Sequence, residues 1–345
     1  MTTIMRSEIL EQPIAIEKTI SHVRSLKSDI LKLVSKNEIK QIIFFARGTS
    51  DNVAMYGFYL FATTCGIYAT SGHPSLATSY KSQVSLTNTL AIGISQSGKT
   101  AEIVESLQWA KQAGAATIGL TNTPNSPIFN AADLTVLTQA GQEHAVPATK
   151  TFTSALAALA VIAECINAQA FQSGEIDLLP SKILSTFEQQ EVVTSFADRL
   201  VDQDTAVVTG RGFSVSIASE IALKFQESCY LVSLGISAAD LQHGPKAIVD
   251  HRLPLLAFLA GENSPVNKTV VDLITKLSTD AASLMIVGPK RAGINTQLHL
   301  VLPDTAESLI PIVMAPPAQL VVEATAVAKG LNPDLPRGLT KITQT

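Results

Sequence analysis

The segment Leu90–Thr100, LAIGISQSGKT, decides the fold class of this chain. An apolar run is followed by a turn of small residues, and the pattern of Thr100–Ala113 is that of a helix. A small-residue turn that leads from a strand into a helix offers backbone N–H groups to a ligand, which is typical of a phosphate-binding loop. The segment therefore predicts an α/β layer with an anion site at the end of one of its strands.

Apolar runs and helical stretches alternate along the rest of the chain. The runs predicted as strands are Gln41–Phe45, Leu90–Ile94, Ala116–Leu120 and Leu134–Leu137 in the first half, and Thr205–Thr209, Leu253–Leu259, Leu284–Val287 and Leu298–Leu302 in the second. Helical patterns separate them, including Asn52–Thr64 and Thr100–Ala113. This alternation predicts parallel strands joined by crossover helices, which is a doubly wound α/β fold.

The second half of the chain repeats the first when 164 is added to the residue number. Six of the nineteen residues from Arg47 to Cys65 are identical to their counterparts from Arg211 to Cys229. Self-similarity in a single register indicates two copies of one α/β unit. The predicted boundaries are a helical segment at 1–35, a first domain at 36–170, a linker with a helix at 171–196, a second domain at 197–335 and a tail at 336–345.

The two copies differ in their polar residues. Ser97-Gly98-Lys99 of the first copy corresponds to Gly261-Glu262-Asn263 of the second, where a carboxylate would repel a phosphate. In return, the second copy carries Glu220, Lys224, Glu227 and the tripeptide His243-Gly244-Pro245, and the ionisable residues Glu220, Lys224, Glu227 and His243 have no charged counterparts in the first. We therefore expect the first copy to bind an anion and the second to transfer protons.

The anion could be a nucleotide or a sugar phosphate, because Gly93–Thr100 also matches the nucleotide pattern G-x-x-x-x-G-K-[ST]. Nucleotide binding would require a magnesium-coordinating Asp at the end of a later strand, and the candidate Asp304 lies in the other repeat. The three hydroxyls of Ser95, Ser97 and Thr100 favour a compact sugar phosphate instead.

The pattern S-x-S-G-x-T at Ser95–Thr100 resembles the phosphate loop of the SIS (sugar isomerase) family. Further motifs are similar to the isomerase half of glucosamine-6-phosphate synthase and follow in the same order along nearly the whole chain. They are Met5-x-x-Glu8-Ile9-x-Glu11-Gln12-Pro13, Gly48-Thr49-Ser50, Thr149-Lys150-x-Phe152-Thr153, Glu220-x-Ala222-Leu223-Lys224-x-x-Glu227, His243-Gly244-Pro245 and Pro336-Arg337-x-Leu339-x-Lys341. The resemblance implies two tandem SIS domains, each a flavodoxin-like three-layer α/β/α sandwich with a parallel sheet.

The resemblance also implies a site. Its substrate- and phosphate-binding residues are Gly48, Thr49, Ser50, Ser95, Gln96, Ser97, Thr100 and Val146. It implies that Glu227 moves the proton between C1 and C2, that Lys224 and Lys341 flank the reacting carbons, and that His243 opens the sugar ring from the neighbouring subunit of a homodimer. We expect the tail that carries Lys341 to form an ordered, lid-like strand.

Two positions depart from the family pattern. The stretch from Val146 to Lys150 reads V-P-A-T-K where relatives often have V-A-S-T-K, so the hydroxyl expected at Ala148 is missing. Lys99 replaces a glutamate that is common in the phosphate loop and adds a positive charge there. The first departure bears on substrate preference, and the second strengthens anion binding.

The chain begins about four residues before the isomerase-like segment, so we expect no glutaminase domain to supply ammonia. The expected reaction is therefore conversion of glucosamine 6-phosphate to fructose 6-phosphate and ammonia. Fructosamine-6-phosphate cleavage, galactosamine-6-phosphate deamination and plain ketose/aldose isomerisation remain alternatives. A further alternative is a sugar-phosphate sensor without catalysis, but only about 35 residues precede the first strand, too few for a DNA-binding module.

The composition argues against nucleic-acid and membrane partners and indicates a cellular compartment. The net charge of -4 and a pI near 5.9 leave no basic field for nucleic acid or an anionic membrane. Three cysteines without C-x-x-C spacing fit a reducing, cytoplasmic compartment. The histidines besides His243 are His22, His73, His144, His251 and His299, and none has metal-ligand spacing. We expect a small-molecule sugar phosphate as the ligand, with no metal and no cofactor.

Overall fold

The computed structural model describes residues 2–261, 264–277, 283–290, 296 and 298–341. These residues form two compact units. The N-terminal unit comprises residues 14–143 and 150–177, and the C-terminal unit comprises the described parts of 2–13, 144–149 and 178–341. The N-terminal helical segment is therefore shared between the units, and residues 144–149 belong to the C-terminal unit although the flanking chain does not.

The N-terminal unit contains a five-stranded parallel sheet with the order β2-β1-β3-β4-β5. Its strands are β1 (Gln41–Phe45), β2 (Tyr68–Ser71), β3 (Thr89–Ile94), β4 (Ala116–Thr121) and β5 (Leu134–Leu137). The helices up to the end of this unit are α1 (Ile4–Leu10), which belongs to the C-terminal unit, then α2 (Gln12–Ser25), α3 (Lys27–Lys36), α4 (Thr49–Cys65), α5 (Ser75–Thr78), α6 (Ala101–Gln112), α7 (Ile128–Ala131) and α8 (Lys150–Ile166).

The C-terminal unit contains a second five-stranded parallel sheet, with the order β10-β9-β8-β6-β7. Its strands are β6 (Thr205–Gly210), β7 (Val232–Ser237), β8 (Pro254–Phe258), β9 (Ser283–Pro289) and β10 (His299–Leu302). Its further helices are α9 (Leu179–Thr186), α10 (Gln190–Leu200), α11 (Ser214–Lys224), α12 (Ala238–Gln242), α13 (Asn267–Leu277) and α14 (Ile310–Ala328). A π-helix continues α11 over Phe225–Cys229, and short 3-10 helices lie at Ile176–Leu178 and Pro245–Ile248.

The duplication predicted from the sequence is present in the fold. Both sheets have the same strand order, because β7-β6-β8-β9-β10 of the second copy corresponds strand by strand to β2-β1-β3-β4-β5 of the first. Helix α4 ends at Cys65, and the combined α11 and π-helix end at the equivalent Cys229. The prediction of a doubly wound α/β fold is confirmed, with a flavodoxin-like order in each unit.

The sequence prediction missed two strands, β2 and β7. Both are edge strands, and Tyr68 and Val232 at their first positions are largely exposed. An edge strand packs on fewer neighbours and therefore lacks the continuous apolar run that marks a central parallel strand. In contrast, β3 and β4 are buried along their whole length, and both were predicted from their apolar runs.

Each unit has a long helix that is almost completely buried, α8 in the N-terminal unit and α14 in the C-terminal unit. Among the described residues, α14 is the one helix long and apolar enough to cross a membrane. However, 89% of its apolar window is buried inside the protein, as in a core helix. The apolar character of α14 is therefore accounted for by packing within the C-terminal unit.

The prediction that the tail forms a strand is wrong for the part of the tail that the structure describes. Residues 336–341 form turns and loops without strand pairing. Pro336 has no N–H to donate to a neighbouring strand, and Gly338 adopts a left-handed conformation with φ of 73°. Both residues interrupt extended backbone.

Candidate active site

The predicted phosphate loop lies at the carboxyl end of β3 and leads directly into α6. The Ser95 and Thr100 hydroxyl oxygens are 3.1 Å apart, and the Gly98 N–H donates to Ser95 Oγ at 3.1 Å. The Lys99 N–H donates to Ser97 Oγ at 3.2 Å. The structure thus brings three of the predicted hydroxyl residues into one loop, which we call the cradle (Ser95–Thr100).

Gly98 gives the cradle its curvature. Its φ is +62°, and a Cβ at this position would lie 2.1 Å from Ser126 Oγ and 2.9 Å from Thr121 Oγ1. Only glycine fits such a close approach at a positive φ. Thr100 then occupies the N-cap of α6, and its side chain makes no capping hydrogen bond. The first turn of α6 therefore directs the positive end of its dipole toward the cradle.

A second predicted binding loop lies at the same edge of the sheet. Gly48, Thr49 and Ser50 follow β1, which pairs in parallel with β3 so that Phe45 lies opposite Gly93. The strand order reverses between β1 and β3, and ligands of open α/β sheets bind at such switch points. The topology therefore places Gly48–Ser50 beside the cradle. Gln96, Ser97 and Thr100 are half-buried, and Lys99 is exposed.

The predicted proton-transfer residues lie in the C-terminal unit, on α11 and the π-helix that continues it. Lys224 Nζ is 3.5 Å from Glu220 Oε1 and donates a short hydrogen bond to Glu227 Oε2. The side chains of Lys224 and Glu220 are 1% and 0% exposed, whereas that of Glu227 is 22% exposed. A buried ammonium is tolerated only when it is paired, so this is no ordinary surface ion pair. Of the three residues, Glu227 is the one that solvent or a ligand can reach.

The π-helix gives Glu227 a backbone that its counterpart in the first copy does not have. Over Phe225–Cys229 the helix widens, and it ends at Tyr230 in a left-handed conformation with φ of 55°. The equivalent residues of α4 are a regular α-helix up to Cys65. Single π-turns are rare and frequently occur at functional sites. Because β7 begins shortly after Cys229, Glu227 lies toward the amino edge of its own sheet.

His243 lies in a turn, as its position before Gly244-Pro245 predicts. It follows α12 directly, its backbone N–H donates to Asp240 O at 3.0 Å, and its side chain is exposed. Gly244 then adopts φ of 137°, and a 3-10 helix begins at Pro245. The imidazole is therefore accessible in a single copy of the chain.

Lys341 and Val146 are brought together in the C-terminal unit. Lys341 Nζ donates to Ala145 O at 2.7 Å and lies 3.5 Å from Val146 O. The Val146 N–H donates to Asp334 O at 2.9 Å. The chain from Asp334 to Lys341 is therefore attached to the segment 144–149 through a backbone hydrogen bond at Asp334 and a side-chain hydrogen bond at Lys341.

Two buried or half-buried acidic residues hold this arrangement and were not singled out from the sequence. Glu8 of α1 accepts hydrogen bonds from the backbone N–H groups of His144 and Ala145, the latter at 3.2 Å. Asp334 accepts from the N–H groups of Ile4 and Met5 at 3.0 and 2.7 Å and so caps α1. The only sequence signal for Glu8 was its place in the N-terminal motif, and the cap from Asp334 has no local signal.

Glu143 has a structural role in the described part of the chain. Glu143 is buried and accepts from the Thr151 N–H at 3.2 Å and the Thr151 hydroxyl at 2.7 Å, so it caps α8. Glu262 and Asn263, the predicted counterparts of the cradle in the second copy, lie outside the described residues. Among the residues that the structure describes, no group of His, Cys, Asp and Glu side chains could hold a metal ion.

Comparison with known proteins agrees with the duplication. The model of the SIS domain matches this chain twice, at residues 37–165 and 199–328. The glutamine–fructose-6-phosphate aminotransferase (isomerizing) of Pyrococcus horikoshii is 32% identical over 350 residues, which cover 98% of this chain and 57% of that protein. The corresponding protein of Escherichia coli K12 is 31% identical over 357 residues, which cover 98% of this chain and 58% of that protein. The chain thus spans little more than half the length of these relatives.

Solved structures have the same fold. The C-terminal domain of glucosamine-fructose-6-phosphate aminotransferase from Francisella tularensis superposes with a TM-score of 0.88 at 27% identity, covering 97% of this chain and 98% of that one. Glucosamine-6-phosphate deaminase from Thermotoga maritima superposes with a TM-score of 0.78 at 21% identity, covering 99% and 100%. The second likeness concerns the fold alone.

Proposed function

Because the chain belongs to the SIS domain family, we propose that it is a phosphosugar enzyme that converts glucosamine 6-phosphate to fructose 6-phosphate and ammonia. The observation that carries this proposal is the buried Lys224 held by two carboxylates, of which Glu227 alone is accessible. An accessible carboxylate beside a buried ammonium suits proton transfer next to a carbonyl group. The similarity to aminotransferases that act on fructose 6-phosphate supports an aminosugar phosphate as the substrate.

The proposed role of the cradle is to bind the phosphate. Its hydroxyl groups and the first-turn N–H groups of α6 are hydrogen-bond donors for phosphate oxygens, and the helix dipole favours the negative charge. Gly48, Thr49 and Ser50 are proposed to contribute from the neighbouring loop. This binding would fix the phosphate end of the sugar and so limit the positions of its C1–C2 end.

The proposed reaction begins with opening of the pyranose ring, in which a proton is added to the ring oxygen and the C1 hydroxyl loses its proton. His243 is assigned this relay because an imidazole can accept and donate a proton near neutral pH. Glu227 then removes the C2 proton to give an enolamine with a developing negative charge on O1, and the buried Lys224 ammonium, which is paired with Glu227, stabilises this charge electrostatically without contacting the sugar. Glu227 returns the proton to C1, and a proton moves from the amino nitrogen to O1, which gives the C2 imine.

Hydrolysis completes the proposed sequence. Water adds to C2 of the imine, and the resulting carbinolamine expels ammonia to leave the C2 ketone of fructose 6-phosphate. Lys341 is assigned to the C1–C2 end of the sugar, where it would add a second ammonium. The contacts of its Nζ with Ala145 O and Val146 O support this assignment, because they orient the side chain.

The test is to incubate the purified protein with glucosamine 6-phosphate and measure ammonia. We expect Glu227→Gln to lower kcat by about 10²–10⁴ with little change in KM, because the amide cannot accept the C2 proton. Thr63→Ala is the matched control, since Thr63 occupies the equivalent position in the first copy. Ammonia release by the native protein that does not exceed that of Glu227→Gln would end the proposal.

A substrate panel separates the reactions that share this proton transfer. Fructosamine 6-phosphates, galactosamine 6-phosphate and unsubstituted ketose and aldose phosphates should be tested beside glucosamine 6-phosphate. Ala148 lies in the stretch that departs from the family pattern, so Ala148→Ser is the variant to include. Faster turnover of another member of the panel would replace glucosamine 6-phosphate as the substrate, and tight binding without turnover of any member would indicate a sensor.

We also propose that the enzyme is a homodimer in which His243 acts on the sugar of the partner subunit. The exposure of His243 in the single chain supports this assignment. Mixing His243→Ala chains with chains carrying both Ser97→Ala and Thr100→Ala should restore activity in one of the two hybrid sites. A fully active monomer in sedimentation would contradict it.

A further inference from the structure

The first turn of α6 carries a charge that opposes phosphate binding. Glu102 is the second residue of the helix that begins directly after the cradle, and its side chain is 15% exposed. A carboxylate in the first turn stabilises the helix dipole, but it repels an anion that binds to the same helix end. A phosphate-binding helix with an uncompensated Glu102 would therefore bind a dianion weakly.

Arg47 compensates this charge. Its Nε donates to Glu102 Oε2 at 2.9 Å, and its Nη2 donates to Glu102 Oε1 at 2.8 Å. This two-point contact raises the pKa of Arg47 above its already high value, chiefly through the hydrogen bonds to Glu102. The Asp51 carboxylate also interacts electrostatically with Arg47. Bidentate arginine–carboxylate pairs fix the geometry as well as the charge.

The pair joins the two binding loops of the N-terminal unit. Arg47 immediately precedes Gly48-Thr49-Ser50 after β1, and Glu102 lies in the first turn of α6, two residues beyond the end of the cradle that follows β3. The ion pair therefore connects residues 55 positions apart across the switch point of the sheet. Lys99, which precedes Glu102 by three residues in the chain, is exposed.

The second copy supplies an internal comparison. Arg211 is the counterpart of Arg47, but the counterpart of Glu102 is Val266, so the pair cannot form there. Arg211 instead lies with its Nη1 3.3 Å from Ser237 Oγ. The arginine is thus present in both copies, whereas its acidic partner is present only in the copy that has the cradle.

We propose that Arg47 is a positioning residue that neutralises Glu102, so that the cradle accepts a phosphate dianion. This rests on the proposed function insofar as the cradle binds the phosphate of a sugar. With Glu102 neutralised, Lys99 leaves the mouth of the cradle with an excess positive charge. Without Arg47, the unpaired Glu102 and Asp51 carboxylates reverse that balance.

The experiment measures binding and not turnover. The probe is glucitol 6-phosphate, an open-chain sugar phosphate without a carbonyl group, titrated calorimetrically into the full chain, with glucitol as the unphosphorylated reference. We expect Arg47→Ala to raise the dissociation constant by about tenfold or more, because one carboxylate is released beside the phosphate. Glu102→Gln alone should change it by no more than about threefold, and the double variant should return to within about threefold of the native protein.

Salt dependence and a matched control complete the design. Raising KCl from about 0.05 to about 0.5 M should narrow the difference between Arg47→Ala and the native protein, because salt screens the repulsion. Arg252→Ala is the control, since Arg252 forms an exposed ion pair with Asp250 in the C-terminal unit. It should leave the dissociation constant unchanged.

Each outcome decides the inference. A double variant as weak as Arg47→Ala would show that Arg47 acts only as a tether and would overturn charge compensation. Unchanged affinity in Arg47→Ala, or a native protein that does not bind glucitol 6-phosphate, would also overturn it. Binding of the probe by the native protein without ammonia release from glucosamine 6-phosphate would overturn only the proposed reaction.

Discussion

The helix that follows the first strand of each copy, α4 or α11 with its π-helical continuation, carries uncharged side chains at three positions in the first copy and charged side chains at the equivalent positions in the second. In α4 of the first copy, Tyr56, Leu60 and Thr63 occupy the positions that carry Glu220, Lys224 and Glu227 in the second. Tyr56 and Leu60 are completely buried, and burial raises the pKa of Tyr56 far above its usual value. The first copy uses this face for packing, and the second uses it for a buried ion cluster.

At the first residue of the cradle, the first copy is polar and the second copy is apolar. Ser95, whose hydroxyl contacts Thr100 and Gly98, corresponds to Leu259 in the second copy. Leu259 is buried in the apolar core of the C-terminal unit together with Leu255, Val270 and Ile274. A duplicated scaffold therefore tolerates polar chemistry at either place, provided that the other copy fills the equivalent place with apolar side chains.

The two polar sites also lie at different edges of their sheets. The cradle lies at the carboxyl edge, where the strand order reverses between β1 and β3. Glu227 lies toward the amino edge of the second sheet, at the end of α11 and just before β7. The switch-point rule for open sheets thus locates the first site and does not locate the second.

The largest expected effect on stability comes from Lys224→Met. Removing the ammonium leaves Glu220 buried without its 3.5 Å partner, so the free energy of unfolding should fall by about 3–5 kcal/mol. Leu60→Met at the equivalent position of the first copy should cost less than about 1.5 kcal/mol. Urea denaturation of both variants provides the measurement. Equal losses of unfolding free energy in the two variants would contradict a special role for the buried ion cluster of the second copy. Adding Glu220→Gln to Lys224→Met should recover part of the lost free energy.

The next largest effect is expected from Gly98→Ala. The added methyl group would meet Ser126 Oγ at 2.1 Å at a φ of +62°, so the cradle must distort. We expect a loss of about 1–3 kcal/mol in unfolding free energy from the backbone strain together with weaker binding of glucitol 6-phosphate.

Gly141→Ala separates strain from clash in that experiment. Gly141 has a φ of +74°, and a Cβ there meets no atom within 4 Å. It should therefore destabilise the chain by about 1 kcal/mol and leave ligand affinity unchanged. Similar affinities for the two variants would show that the curvature at Gly98 does not shape the anion site.

A smaller effect is expected from removing one hydroxyl of the cradle. Thr100→Ala should raise the dissociation constant for glucitol 6-phosphate by about five- to tenfold, which corresponds to one hydrogen bond to a charged acceptor. Ser264→Ala at the equivalent position of the second copy should have no effect, because that copy lacks the Ser95 hydroxyl. Calorimetric titration of both variants is the measurement, and comparable losses would assign anion binding to both copies.

The smallest effect concerns Cys65 and Cys229, two free cysteines that occupy equivalent positions in the two copies. Burial raises the pKa of Cys229 to about 12, and it also raises the pKa of the half-buried Cys65. Since only the thiolate reacts, the population of reactive Cys229 at pH 8 is about 10⁻⁴ and grows about tenfold for each pH unit up to the pKa. Iodoacetamide labelling followed by mass spectrometry between pH 7 and 9 should modify Cys65 first. Faster modification of Cys229 would indicate local opening of the π-helix.

The sequence predicted the parts of the fold that depend on local pattern. The central strands β3 and β4 were identified because a parallel strand covered on both faces is a continuous apolar run. The cradle was identified because its small residues, hydroxyls and following helix are adjacent in the chain. Edge strands β2 and β7 were missed because an edge strand lacks a continuous apolar run. The described part of the tail was wrongly predicted to be a strand although Pro336 and Gly338 interrupt extended backbone there.

The amino-acid sequence by itself determined the duplication, the parallel α/β units and the cradle, since each is a short-range pattern repeated in one register. Only the tertiary structure decided that Lys224 is buried between two carboxylates, that Arg47 neutralises Glu102, and that Glu8 holds the segment 144–149. The physical reason is that charge pairing depends on distance in space and on burial. Partners that lie 55 and 136 residues apart in the chain become neighbours only when the units fold.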